Sequence, residues 1–225
     1  MARGVRARMV ESAVRLLARR GLQATSFSEV LDLSGAPRGS VYHHFPGGKE
    51  ELVGSALDAA GAIAIDQLER KAGAAADEVA AWFVHVWREV LVRSNFEAGC
   101  AVLAVTVAAD SPALLEQAAT VFRTWRRRLA ELLEQGGLDR SDADRYAATL
   151  VATCEGAVAL SRAERSLEPF DLVAEQLLDQ VRSLARPGRG SPRVDRGRRR
   201  DDMERHGPAP STRRPRDGAD PDDRP

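Results

Sequence analysis

Cysteine is scarce in this chain. Its 225 residues include only Cys100 and Cys154, which are far apart and form neither a CxxC motif nor a Cys/His cluster. The sequence therefore indicates neither a disulfide framework nor a structural zinc site, and we predict no metal and no other cofactor. So few cysteines are typical of a reducing compartment, and we expect a cytoplasmic location.

Long apolar runs and catalytic motifs are also missing. No stretch approaches the roughly 18 apolar residues of a membrane span, and the N-terminus lacks the apolar core of a signal peptide, so we expect a soluble protein without a membrane partner. No phosphate-binding loop and no nucleophile elbow occurs. An enzyme built around His85, Cys100 or Cys154 is the remote alternative, because His85 lies one turn from Glu89, which is common for a surface pair. We predict no catalytic residues.

Charge is balanced over the whole chain but not along it. The 33 basic and 33 acidic residues cancel, which by itself does not indicate a nucleic-acid-binding protein. Residues 1–50, however, contain eight basic and four acidic residues. Arg3 and Arg6 in this segment are either phosphate contacts or ordinary solvated charges. The local positive excess lies on the segment that carries the main motif of the chain.

That motif is residues 25–51, TSFSEVLDLSGAPRGSVYHHFPGGKEE, which predict two short helices, a tight turn and the start of a third helix. Ser26 and Glu29 have the spacing of a capping box, which begins a helix. Gly35 ends that helix, because glycine adopts the left-handed conformation that closes one. Pro37 suits the first turn of the second helix, whose inward side is formed by Val41 and Phe45. This arrangement predicts a helix-turn-helix, whose second helix can enter a DNA major groove about 12 Å wide.

Residues 24–52 resemble the DNA-binding domain of the TetR family of bacterial transcriptional regulators, in the wording GSVYHHF followed by KEEL. The stretches SGAPRGSVYHHFPGGKEEL and ERSLEPFD are similar to the branch around the LmrA and YxaF repressors. The resemblance implies an all-α fold. It would comprise a three-helix helix-turn-helix DNA-binding domain over 1–51, a helical effector-binding and dimerisation domain over 52–186, and a tail over 187–225.

Helix-turn-helix geometry brings the start of the recognition helix closest to the base edges of double-stranded DNA. Arg38 is the best candidate for a base contact, because its guanidinium matches the guanine edge. Ser40 and His43 are weaker candidates for a base or a phosphate. His44 has a competing structural role, packing or hydrogen bonding beside Phe45.

The family resemblance adds candidates for contacts to the DNA backbone. It implies that Tyr42 and Lys49 bind phosphates. It also implies that Thr25 or Ser26 supplies a hydroxyl or backbone contact at the N-terminus of the preceding helix.

Apolar residues at three- and four-residue steps predict helices along the rest of the chain. An N-terminal helix covers 5–20, and the later helices are 52–71, 77–93, 101–109, one from Ser111 to the Gly136–Gly137 stop, one capped by Ser141, and one beginning at Glu168. Segment 101–109 is rich in β-branched residues that favour strands. We still predict a helix there, because no partner strand is evident.

The candidate effector pocket lies between helices that carry apolar and aromatic residues, namely Trp82, Phe83, Trp87, Val105, Phe122 and Trp125. Aromatic residues at helical spacing are more often ordinary core residues, and that alternative stays open. The mostly apolar lining predicts a hydrophobic or aromatic effector, and aromatic faces also suit a cationic one.

The last two helices carry a stripe of small residues and an apolar stripe, which could complete the monomer core or pair with a second copy. The family resemblance implies pairing into a two-fold homodimer. Beyond residue 186, proline, glycine, arginine and aspartate replace large apolar residues, so we predict disorder. Arg198, Arg199 and Arg200 could attract DNA non-specifically, but interleaved aspartates favour an inert tail.

Together these features predict a ligand-responsive transcriptional repressor that binds palindromic operator DNA as a homodimer and is released by a small effector. The sequence does not separate repressor from activator. A DNA-binding regulator without an effector remains the alternative, and a large cavity in the C-terminal region would count against it.

Overall fold

The computed structural model describes residues 4–185, which form nine α-helices and contain no β-strand. The helices are α1 (Val5–Arg20), α2 (Phe27–Ser34), α3 (Val41–His44), α4 (Gly48–Glu69), α5 (Ala76–Ser94), α6 (Ala101–Thr106), α7 (Pro112–Gln135), α8 (Arg140–Glu164) and α9 (Glu168–Leu184). The all-α prediction is confirmed. Arg3 and the predicted disordered tail lie outside the described residues. None of the helices in 4–185 is both long and apolar enough to cross a bilayer.

The predicted caps around α2 are present. The Ser26 hydroxyl accepts a hydrogen bond from the Glu29 N–H at 3.3 Å, and the Glu29 carboxylate accepts one from the Ser26 N–H at 3.2 Å. Gly35 has a φ of 64°, the left-handed conformation in which glycine is favoured. The boundaries of α2 are therefore determined locally, as predicted.

Two helix starts differ from the prediction. Pro37 precedes a short 3₁₀ turn, Arg38–Ser40, and regular α3 begins only at Val41. Helix α8 begins at Arg140 after Asp139, so the prediction that Ser141 caps it is wrong. The Ser141 hydroxyl instead accepts a hydrogen bond from Arg145 at 2.9 Å.

Segment 101–109 is helical in its first part, as predicted, despite its strand propensity. Val102 and Val105 are both fully buried and lie one turn apart on the inner side of α6. The Thr106 hydroxyl donates to the Val102 carbonyl at 2.8 Å, a common bond for threonine in a helix. Burial of this face therefore outweighs the intrinsic preference of valine for strands.

The buried residues form two hydrophobic clusters. The first joins α1–α4 to α6 and to the N-terminal half of α7, through residues such as Met9, Leu52, Val102 and Leu114. The second joins α5, α8 and α9 to the C-terminal half of α7. Ile65, Trp87 and Phe122 pack against both clusters. Helix α6 thus shares a core with the helix-turn-helix, and the predicted boundary between residues 51 and 52 stays a prediction.

A buried hydrogen bond joins the last two helices. Tyr146 of α8 is 1% exposed, and its hydroxyl donates to the Leu177 carbonyl of α9 at 2.5 Å. Burial raises the pKa of this phenol, which keeps it protonated as the donor. The contact fixes α9 against α8 where both helices bury their apolar faces.

We expect Tyr146→Phe to lower the free energy of unfolding by about 1 kcal/mol, because a buried hydrogen bond is lost while the ring still packs. Urea denaturation would measure the change. Tyr42→Phe is the matched control, since Tyr42 is 80% exposed and should leave stability unchanged. Equal stability of the wild type and Tyr146→Phe would contradict the importance of this bond.

Candidate functional site

Helices α2 and α3 with the intervening turn form a helix-turn-helix whose second part presents polar side chains outwards. Val41 and Phe45 are buried, at 4% and 0% exposure, as predicted. Arg38, Tyr42 and His43 are exposed, and within residues 4–185 none of their side chains forms a hydrogen bond. Three of the predicted DNA-contacting side chains are therefore brought together on one accessible surface.

Two other polar side chains in this region have partners inside the protein. The Ser40 hydroxyl is half-buried and donates to the Pro37 carbonyl at 2.6 Å, which stabilises the 3₁₀ turn. His44 is half-buried and packs edge-on against the His43 ring, with centroids 5.0 Å apart. The Ser40 bond therefore stabilises the segment from Arg38 to His44, which we call the recognition segment.

Thr25 is positioned differently from the prediction. Its side chain is 1% exposed, and its hydroxyl donates to the Gly21 carbonyl at 2.8 Å. Its backbone N–H is also used, in a bond to the Leu22 carbonyl. The structure therefore assigns Thr25 to the α1–α2 turn, and the neighbouring Ser26 is the exposed hydroxyl at the N-terminus of α2.

Lys49, in the first turn of α4, also contacts this turn. Its Nζ donates to the Leu22 carbonyl at 2.9 Å. An ammonium group has three N–H donors, so two remain for another acceptor. The bond holds the ammonium beside α2 and α3. It could not be predicted from the sequence, because the partners are 27 positions apart.

An apolar cavity of about 210 Å³ lies between α1, α4, α5, α6 and the middle of α7. Four of the six predicted pocket residues line it, namely Trp82, Phe83, Trp87 and Trp125. Val105 does not line the cavity and packs instead in the cluster around α1, so its place in the predicted pocket is wrong. Phe122 packs edge-on against Trp125 at 5.4 Å and supports the wall from behind.

Residues of α1 and α4 complete the cavity and were not predicted. They are Val14, Ala18, Ala60, Ile63, Ala64, Gln67 and Leu68. Two tryptophans are anchored to α4 by their indole N–H groups, Trp82 to the Gln67 carbonyl at 3.1 Å and Trp125 to the Gly61 carbonyl at 3.3 Å. The spacing of apolar residues on α4 could be recognised in the sequence. Which helices pack against α4 could not.

A second cavity, of about 440 Å³, lies between the end of α1, α6 and α8. Glu155 lines it, is only 7% exposed, and has no hydrogen bond to either carboxylate oxygen among the described residues. Burial raises the pKa of Glu155 to about 7. Glu155 lies within the small-residue stripe of α8, and no motif in the sequence marked it as a functional residue.

The alternative of an enzyme depends on Cys100, Cys154 and His85. Burial raises the pKa of the Cys100 thiol and raises that of Cys154 to about 12, which disfavours the nucleophilic thiolate. His85 is exposed beside Trp82. Within residues 4–185, no group of three His, Cys, Asp or Glu side chains is placed to hold a metal ion.

Comparison with known proteins agrees with this arrangement. Residues 9–56 match the family of bacterial regulatory proteins called the tetR family, and residues 75–176 match the C-terminal domain of LmrA/YxaF-like transcriptional regulators. An HTH-type transcriptional regulator of Mycobacterium tuberculosis is 38% identical over 181 residues, which cover 77% of this chain and 92% of the relative. The chain belongs to the TetR family of transcriptional regulators.

Other TetR-family members extend the similarity. YxaF of Bacillus subtilis is 28% identical, over 79% of this chain and 95% of its own length. A TetR transcriptional regulator from Chloroflexus aurantiacus has a TM-score of 0.68 at 27% identity, covering 81% of this chain and 96% of the other. A regulatory protein from Rhodobacter sphaeroides, with a TM-score of 0.70 at 21% identity over 78% of this chain and 97% of the other, shares the fold. This TetR-family chain is thus a DNA-binding regulator of transcription.

The buried Glu155 carboxylate makes the stability of this TetR-family protein depend on pH. Its folded pKa of about 7 is above the ordinary 4.5, so its stabilising contribution is complete below pH 4.5 and is lost as the pH rises through 7. At pH 8 we expect Glu155→Gln to be more stable than the wild type by about 3 kcal/mol, since the pKa is raised from 4.5 to about 7 and one pKa unit corresponds to about 1.4 kcal/mol. Urea denaturation of both proteins from pH 4 to 8 measures this difference, and a constant difference across that range would contradict the raised pKa.

Proposed function

We propose that this TetR-family regulator is a ligand-responsive repressor that binds palindromic operator DNA as a homodimer and is released by a small hydrophobic or aromatic effector. The apolar cavity carries this proposal. Its walls include α1 and α4, the two helices that pack directly against the helix-turn-helix. A molecule in the cavity would therefore touch the supports of the DNA-contacting surface. A DNA-binding regulator without an effector would not need such a cavity. The relatives of this chain are transcriptional regulators, which favours regulation of transcription over catalysis.

We assign the DNA contacts by exposure. Arg38, at the start of the recognition segment, reaches base edges, with His43 beside it. Tyr42 and Lys49 bind phosphates on either side, and the Ser26 hydroxyl lies at the edge of the same surface. Ser40 contributes through the turn that it holds. Regulation of transcription also accounts for the predicted location in the cytoplasm.

Exposed apolar residues on α8 and α9 support the homodimer. Leu160 and Leu172 are 54% and 63% exposed, and Ala152, Gly156 and Ala159 expose a surface of small side chains on α8. An added Cβ at Gly156 would meet no atom within 4 Å, so this surface is open to a second copy. Two-fold pairing would hold two recognition segments for half-sites about 34 to 36 Å apart.

The mechanism is a shift between two conformations. Gly99, before α6, donates its backbone N–H to the Ala18 carbonyl of α1 at 2.8 Å, and both residues border the cavity. An effector that binds better to a conformation with α1 displaced lowers operator affinity, and operator DNA lowers effector affinity by the same factor.

The division of DNA contacts predicts different effects of two substitutions. Arg38→Ala should relax preference at one base position and cost about 1 to 3 kcal/mol on the operator. Lys49→Ala should weaken binding to all sequences and reduce the slope of log affinity against log salt by about one phosphate contact. Titrations of operator and random DNA at several salt concentrations measure both.

Arg126→Ala is the matched control, because it removes the same charge from the exposed side of α7 and should leave DNA affinity unchanged. Thermal unfolding of Lys49→Ala shows whether loss of the Leu22 bond has unfolded the domain. If Arg38→Ala and Lys49→Ala each weakened binding to operator and random DNA equally, the assignment of Arg38 to a base and Lys49 to a phosphate would be contradicted.

The effector response is tested with the full chain and an operator selected from a random DNA library. We expect at least one compound in a panel of small apolar and aromatic molecules to weaken operator binding about tenfold, a typical coupling between two sites. If no compound in the panel changed the operator affinity, the proposed response to an effector would be contradicted.

A further inference from the structure

The apolar cavity opens into a larger groove of about 1630 Å³ that runs between α1, α4, α5 and the α5–α6 connection. Cavity and groove share wall residues, including Val14, Ala18, Ile63, Trp82 and Gly99. The shared residues are mostly apolar. One molecule can therefore occupy both spaces, with one end in the cavity and the other in the groove.

Positive charge dominates the walls of this groove. Two glutamates, Glu89 and Glu97, line it together with seven arginines, namely Arg15, Arg19, Arg20, Arg70, Arg93, Arg162 and Arg165. The groove thus has an excess of five positive charges in a chain whose net charge is zero. Such a surface attracts anions and disfavours cations.

Four of these guanidinium groups have carboxylate partners. Arg70 pairs with Asp66 at 3.2 Å, and Arg93 pairs with Glu89 at 2.7 Å. Two arginines of α1 are paired as well, Arg19 with Glu97 and Arg20 with Glu29. These pairs contribute little net charge, so the positive excess of the groove comes mainly from its other three arginines.

Arg15, Arg162 and Arg165 have no carboxylate partner among the described residues. Arg162 donates to the carbonyls of Arg19 and Glu97, and its Nε is buried without an acceptor. Arg165 has only a long bond, at 3.4 Å, to the Asn95 carbonyl. A buried donor without an acceptor is unfavourable, so the Arg162 Nε favours an acceptor from outside the chain. Arg15 and Arg165 are exposed and add positive charge without a carboxylate to balance it.

The apolar end of the site limits the size of the ligand. Its volume of about 210 Å³ exceeds the roughly 150 Å³ of an apolar protein cavity that binds benzene. It would hold one substituted ring or a short aliphatic chain. A carboxylate on that body matches guanidinium groups through paired, charge-assisted hydrogen bonds.

We propose that the effector is an amphipathic organic anion, whose apolar body fills the cavity and whose acidic group lies among Arg15, Arg162 and Arg165. This inference rests on the proposed effector function and narrows it, because it excludes the cationic effector that aromatic walls alone would allow. The acidic group is bound at the connection between α5 and α6, close to the contact between Gly99 and Ala18.

Three probes of equal chain length test the charge preference, namely octanoate, octan-1-ol and octylammonium. All three tryptophans of the chain line the cavity, so their fluorescence reports its occupancy, and isothermal titration calorimetry gives the affinities. We expect octanoate to bind about tenfold more tightly than octan-1-ol, as one charge-assisted contact would provide, and octylammonium to bind most weakly.

The double variant Arg15→Gln/Arg165→Gln should reduce the advantage of octanoate over octan-1-ol, of which only the part due to Arg162 remains, and leave octan-1-ol binding unchanged. Arg126→Gln/Arg127→Gln, with the same loss of charge on the exposed side of α7, is the control and should behave as the wild type. Arg162 is kept, because its bonds also hold the α5–α6 connection.

Equal affinity for octanoate and octan-1-ol, with both weakening operator binding, would overturn the anion proposal and leave the effector function standing. A double variant that binds octanoate normally but has a lower salt dependence of DNA binding would make the groove a DNA contact and overturn the proposal too. Absence of binding by all three probes, with operator affinity unchanged, would count against both the anion and the effector cavity.

Discussion

The structure depends on the packing of α1 against α4 and α6. Helix α1 contributes its inner side, including Met9 and Leu17, to the same hydrophobic cluster as Val102 and Val105 of α6. The backbone bond from Gly99 to Ala18 fixes the two helices at the point where the cavity begins. Residues 99–105 therefore support the helix-turn-helix through α1 and α4, and the helix-turn-helix has no separate core of its own.

This shared core explains why local features of the helix-turn-helix could be predicted and their supports could not. Ser26, Glu29 and Gly35 determine α2 through bonds and backbone conformations within a few residues, which a sequence displays. Lys49 and Leu22, by contrast, meet only because α4 packs beside the α1–α2 turn. Thr25 was placed on the DNA surface by family resemblance, although its burial depends on the same long-range packing.

The residues that line the cavity could likewise be predicted only in part from the sequence. Helical spacing correctly selected Trp82, Phe83 and Trp87 as neighbours on one helix, because position along a helix determines the direction of a side chain. It could not tell whether Val105 faces the cavity or the cluster around α1, since that depends on how α6 lies between its neighbours. The unpaired arginines of the groove were also beyond prediction, because they come from helices separated by more than 100 residues.

The energies needed for regulation are small compared with those that hold the fold together. A tenfold change in operator affinity corresponds to about 1.4 kcal/mol, and burial of one methylene group contributes about 0.8 kcal/mol. An effector therefore needs to bury only about two more methylene groups in one conformation than in the other. Ile63 lines the cavity and is 55% exposed, so apolar surface is available there for an effector to cover. Because α1 and α4 form the walls, a displacement large enough to change that contact also moves the supports of α2 and α3.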